Sequence, residues 1–144
     1  MTTRTCNEET PDKIGHAEAR SISFVKIKNM RVNEKIYCVY ILTNKIKTVL
    51  YTGMTNDLEQ RLVEHYMDRI EKKTFTGKYN CHFLIFYESY KYVNDAIARE
   101  KEIKGWLRIK KNNLITNFNP EWKFLNEELL GEWPPKEIYH RKDT

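Results

Sequence analysis

The sequence predicts an α+β fold on three observations. Two short apolar stretches joined by a polar turn, "KIYCVYIL" and "TVLYTG", read as a β-hairpin. From Asn56 the apolar period becomes helical. A third apolar stretch, "CHFLIFYES", then precedes a long run with helical spacing. The resulting order β-β-α-β-α-α is not that of a doubly wound sheet.

In the first stretch Ile36, Cys38, Tyr40 and Leu42 fall on one side and Tyr37, Val39 and Ile41 on the other, as in a strand covered on both faces. "TNKIK" supplies the turn, and Gly53 ends the returning strand. Leu58, Leu62, Tyr66 and Ile70 recur every fourth residue, widened by Val63 and Met67, which predicts a helix to about Lys72. Asn56, followed three residues later by Glu59, resembles a capping box. "KKTFTGKYN" reads as a basic loop, and "CHFLIFYES" is too short and too aromatic for a helix, so it becomes the third strand. Asn94 or a near neighbour caps a helix through "DAIAREKEIKGWLRIKK", broken or kinked near Gly105. "NPEWKFLNEELL" restarts a helix at its Asn-Pro step.

A chain of 144 residues fits one hydrophobic core. Residues 1–34 mix charges with Ser, Thr and Asn and read as a flexible extension, 35–130 as the domain, and 131–144 as a tail. Lys and Arg total 25 against 20 acidic residues, and the net +5 favours a polyanionic partner such as nucleic acid. Cys6, Cys38 and Cys81 are far apart and form no CxxC pair, which argues against a zinc finger and for reduced thiols in a cytoplasmic protein. No apolar run approaches the roughly 20 residues of a membrane span, and "MTTRTCNEETPDK" has no secretory apolar region. No membrane partner is expected.

The residues with chemical potential come in four groups. Val93, Ala96, Glu100, Ile103 and Leu107 share one stripe, so a carboxylate stands among apolar neighbours. Unless the helix turns Glu100 outward, it requires a cation, either a neighbouring lysine or arginine or a metal ion. Arg61 and His65 lie four apart and project from one helix face, offering a fork for phosphate and a group that titrates near neutrality, or else an ordinary solvated face. Tyr40 and Tyr51 belong to the paired strands, where their hydroxyls can converge or simply pack. Arg99, Lys101, Lys104, Arg108, Lys110 and Lys111, with Trp106 among them, suit a phosphate backbone as well as they suit solvent.

The ordered series "CVY" at Cys38–Tyr40, "YTG" at Tyr51–Gly53, "QRLVEH" with Arg61 and His65, "AIAREKEIKGW" with Glu100, and "NPEW" resembles the small stand-alone GIY-YIG nuclease-domain proteins over roughly residues 36–128. That resemblance implies a three-stranded antiparallel sheet flanked by helices, a Mg2+ or Mn2+ ion, and hydrolysis of a nucleic-acid phosphodiester, with DNA as the expected partner. By matching positions Tyr40 and Tyr51 are the motif tyrosines, Arg61 the catalytic arginine and Glu100 the metal ligand. His65 matches a residue present in only some branches. Asn119 matches a recurrent asparagine near the domain's end, with Asn112 as second candidate. One glycine and one isoleucine of the motif are replaced, and neither carries chemistry.

A free tyrosine has a pKa near ~10, so Tyr40 serves as a base only if a metal and Arg61 lower it, and His65 is its rival. The expectation is a metal-dependent endonuclease acting on DNA. The alternative is a nucleic-acid-binding module with weak or no turnover.

Overall fold

The computed structural model describes residues 35–135. The expected extension over 1–34, Cys6 and residues 136–144 of the expected tail lie outside the described residues. In chain order the elements are β1 (Tyr37–Thr43), β2 (Leu50–Thr55), α1 (Leu58–Met67), α2 (Phe75–Tyr79), β3 (Phe83–Tyr90), α3 (Val93–Lys104), α4 (Arg108–Phe118) and α5 (Asn126–Leu130). The three strands form one antiparallel sheet in the order β2-β1-β3, flanked by the helices. The α+β class and the three-stranded sheet are therefore as the sequence predicts.

Strand β1 is apolar on both faces because it is the central strand: Cys38 to Leu42 are at most 3% exposed. Its register sets Tyr40 opposite Gly53 on one side and Tyr87 on the other, and Val39 opposite Met54 and Glu88. Between Ile41 and Leu42 the pairing with β3 shifts, which leaves Ile85 as the extra residue of a bulge. Asn119 donates from Nδ2 to the Ile85 carbonyl at 3.1 Å. Asn126 accepts from the Leu84 N–H at 2.7 Å and donates to the His82 carbonyl at 2.8 Å, while the Leu125 N–H reaches the Leu84 carbonyl at 2.8 Å. Backbone groups of an edge strand that would otherwise stand open are thus satisfied by the chain's own C-terminal segment.

Several boundaries differ from the expected ones. Asp57, not Asn56, caps α1, accepting the Gln60 N–H at 3.1 Å. The helix stops at Met67, short of Lys72, because Gly77 of α2 packs directly on the Asp68 backbone and the chain must turn there. The expected basic loop contains α2, capped by Thr74, whose hydroxyl accepts the Gly77 N–H at 3.1 Å. Tyr92 rather than Asn94 precedes α3, with no side-chain cap, and the break at Gly105 is found. The Asn-Pro step starts no helix: Asn119 leaves the helical region as the C-cap of α4, as a residue before proline is driven to do, and its side chain is already engaged. Packing continues past residue 130, since the Trp133 ring lies 5.1 Å from that of Tyr66.

One charged cluster is internal. Glu88, 0% exposed, receives a two-pronged bond from Arg99 of α3, Nε to Oε1 at 3.0 Å and an Nη to Oε2 at 3.1 Å. The Tyr90 hydroxyl donates to the same carboxylate at 2.8 Å, and Arg99 also holds Glu102 at 2.9 Å. Removing one partner of such a pair leaves a buried charge uncompensated. Arg99→Ala is therefore expected to destabilise the fold by about 3–5 kcal/mol in denaturant titration. Lys101→Ala on the exposed face should change stability by less than about 0.5 kcal/mol.

Candidate active site

The site begins with a clearance. Tyr40 and Gly53 face each other across β1 and β2, and a Cβ on Gly53 would fall 2.6 Å from the Tyr40 hydroxyl and 3.0 Å from the Tyr51 ring. Glycine here lets the Tyr40 ring lie over the neighbouring strand. Tyr51 stands diagonally across the same pair, its ring centroid 6.4 Å from that of Tyr40.

His65 of α1 is 2% exposed and meets this pair from the helix side. Its Nε2 is 2.9 Å from the Tyr40 hydroxyl and its Nδ1 is 2.9 Å from the Thr76 hydroxyl of α2. Burial first, then the charge of Arg61, pushes the imidazole down to about 4, so it is neutral at physiological pH. Burial likewise pushes the Tyr40 phenol well above its ordinary range, and a hydrogen bond with Arg61 only partly offsets this. The phenol is thus protonated, and the acceptor within hydrogen-bond distance of its hydroxyl is His65 Nε2. That assigns its proton to His65 Nε2 and leaves Nδ1–H to donate to Thr76.

Arg61 is half-exposed and also binds Glu64 at 2.7 Å. Burial disfavours its charge, but Glu64 and Tyr40 more than compensate and hold the guanidinium protonated. Glu100 is near enough to raise the Tyr40 pKa, and its carboxylate, 21% exposed, pairs with Lys104 at 3.1 Å. Of the expected stripe only Ala96 and Ile103 are buried; Val93 and Leu107 are exposed, Leu107 because it lies beyond the break at Gly105. An i,i+4 pair this close to solvent is worth under about 1 kcal/mol, so Lys104 leaves Glu100 accessible to a stronger cation.

Among the described residues no three or more His, Cys, Asp or Glu side chains cluster as a metal cage. One carboxylate is a donor set suited to magnesium or manganese, which keep waters and take phosphate oxygens as further ligands.

The remaining expected residues are distributed differently. Asn119 is 1% exposed and bonds backbone groups of Ile85 and Lys123, which makes it a brace of the fold. Asn112 accepts from Arg108 at 3.0 Å, and Arg108 reaches the Thr48 and Lys47 carbonyls at 2.9 and 3.3 Å, tying α4 to the hairpin turn. Arg99 is engaged by Glu88, and Lys104 by Glu100. Lys110 lies 4.4 Å from the Trp106 ring centroid, Lys101 is exposed, and Lys111 is half-buried. Thr76 was not singled out from the sequence, because a five-residue helix is too short to show periodicity.

Fold and site place the chain among nuclease-type catalytic domains. The family model of the GIY-YIG catalytic domain matches residues 36–113, more than half of the chain, and the chain belongs to this family. It is similar to a UPF0213 protein of Natronomonas pharaonis, 35% identical over 79 residues that make up 55% of this chain and 89% of the relative. No solved structure matches the chain. Among the described residues no helix is long and apolar enough to cross a membrane.

Gly53→Ala is expected to cost about 1–3 kcal/mol in thermal or chemical unfolding, because the Tyr40 ring must move. A second expectation concerns pH. His65 and His82 are both pushed down to about 4 by burial, whereas an unfolded histidine takes up a proton near 6.5. The unfolded chain binds more protons in that window, so stability is full above pH 6.5 and is lost as the pH falls towards 4. Melting temperatures from pH 7 to 4.5 should fall accordingly, and His65→Gln should flatten part of the slope.

Proposed function

We propose that the chain is a divalent-metal-dependent endonuclease that hydrolyses phosphodiester bonds in DNA. The observation that carries this reading is the buried Tyr40 phenol, 2.9 Å from neutral His65 and within electrostatic reach of cationic Arg61. Phosphodiester hydrolysis needs positive charge where the phosphate oxygens gain negative charge, and Arg61 supplies it from a fixed position. Tyr51, half-buried beside His65, orients phosphate or water through its hydroxyl. Tyr40 would act as base in its phenolate form, after its own proton has passed to solvent: it takes a proton from the attacking water as the new P–O bond forms, the P–O bond to the leaving oxygen breaks, and that oxygen is protonated from solvent. Glu100 would hold a magnesium or manganese ion, whose charge stabilises the developing oxyanion and favours the phenolate. Free buried thiols at Cys38 and Cys81 support a cytoplasmic location.

The test is nicking of supercoiled plasmid and of branched DNA with magnesium or manganese. Tyr40→Phe, Arg61→Ala and Glu100→Ala should each lower the rate by about 10²–10³-fold. Lys104→Ala should leave it unchanged or raise it. Cleavage that persists in Glu100→Ala overturns the metal-dependent reading, and DNA binding without cleavage by the folded wild type replaces it with a binding module.

A further inference from the structure

Helix α2 alternates between two environments. Thr76 and Gly77 face inward, Thr76 on His65 and Gly77 against the Asp68 backbone. Phe75 and Tyr79 face outward, 48% and 44% exposed, with ring centroids 4.8 Å apart. Phe75 also stacks on Tyr51, 6.0 Å away at an interplanar angle of 28°, and Tyr51 lies 5.4 Å from His65. A continuous line of rings therefore runs from the catalytic centre to solvent. Lys78 stands beside its outer end, with Nζ 5.8 Å from the Tyr79 ring.

The outer rings are not what holds the helix. Thr74 caps its start, Asn80 closes its end in the left-handed conformation, and the Cys81 N–H bonds the Thr76 carbonyl at 2.8 Å. Rigid, exposed aromatic faces beside a cation match the surface that binds unpaired nucleobases, where each base stacks on a ring and a nearby phosphate meets the charge. A continuous duplex keeps its bases stacked inside and cannot use such faces.

We propose that Phe75 and Tyr79 form a stacking ledge for an unpaired base next to the phosphate held at the active site. The substrate is accordingly DNA with a single-stranded segment adjoining the scissile bond, such as a flap, gap or frayed end, rather than uninterrupted duplex. The position of the phosphate rests on the nuclease reading above; the binding of the base does not depend on turnover.

The experiment uses the full chain without divalent metal and two DNA probes of equal length, a flapped one carrying 2-aminopurine in the flap and a fully paired duplex. Wild type is expected to bind the flapped probe tighter and to quench its 2-aminopurine. Phe75→Ala and Tyr79→Ala should each weaken flap binding by about tenfold, with duplex binding changed less than twofold. Phe75→Leu should fall between, and circular dichroism melts confirm that these surface variants remain folded. Equal affinity of wild type for both probes, absence of quenching, or equal losses on both probes overturns the ledge; the first two require no variant. With metal added, lack of cleavage overturns the nuclease reading alone, and cleavage without preference for flapped DNA overturns the ledge alone.

Discussion

The approach of the Tyr40 ring to the backbone of Gly53 governs the arrangement of the site. Because no side chain stands at Gly53, the phenol crosses from the central strand over its neighbour and comes within hydrogen-bonding distance of α1. His65 accepts it there, and its other nitrogen bonds the Thr76 hydroxyl, which draws in α2 as well. One run of contacts, Gly53 to Tyr40 to His65 to Thr76, thereby links two strands and two helices whose sequences share no local signal. The ring line through Tyr51 and Phe75 is a consequence of the same placement.

Electrostatics divides the basic residues into those that build the fold and those that face outward. Glu88 sits at 0% exposure in β3, and its two-pronged bond with Arg99 fixes α3 against the sheet. That docking brings Glu100, the next residue, into electrostatic reach of Tyr40. Arg108 fixes α4 to the hairpin turn through backbone carbonyls. Spacing alone grouped these arginines with Lys101, Lys110 and Lys111 as one basic face. The structure separates them because each guanidinium makes several directed bonds at once, Arg99 to two carboxylates and Arg108 to Asn112 and two backbone carbonyls.

What could be read from the sequence follows the range of the interactions involved. β1 was legible because burial on both faces leaves seven consecutive apolar residues, and the break at Gly105 because helix signals are local. Tyr40, Tyr51, Arg61, His65 and Glu100 were identifiable as an ordered series, although spacing alone left each with an ordinary structural alternative. The stripe through Glu100 misled at both ends, since Val93 and Leu107 are exposed and only Ala96 and Ile103 reach the core. Asn119 was picked out by the resemblance, but what it and Asn126 bond was opaque for a different reason. Their partners are a bulge carbonyl and a strand edge 34 to 44 residues away, and a bulge appears only when two strands are registered.

The geometry also bears on which group acts as base in the proposed reaction. His65 is pushed down to about 4, whereas the Tyr40 phenol is raised above its ordinary ~10. Both shifts run against a proton transfer from Tyr40 to His65. Both imidazole nitrogens are also occupied, one by Tyr40 and one by Thr76, which leaves none for water. In the proposed reaction His65 is accordingly assigned a positioning role, orienting the Tyr40 hydroxyl. Ionisation of Tyr40 must instead come from positive charge, and Arg61 supplies only part of it, since the phenol remains protonated beside it. A second cation at Glu100 is the natural complement, because that carboxylate on its own raises the Tyr40 pKa and its neutralisation would remove that effect. The requirement for a metal in this reading thus follows from the proton balance at Tyr40 as well as from the charge on the phosphate.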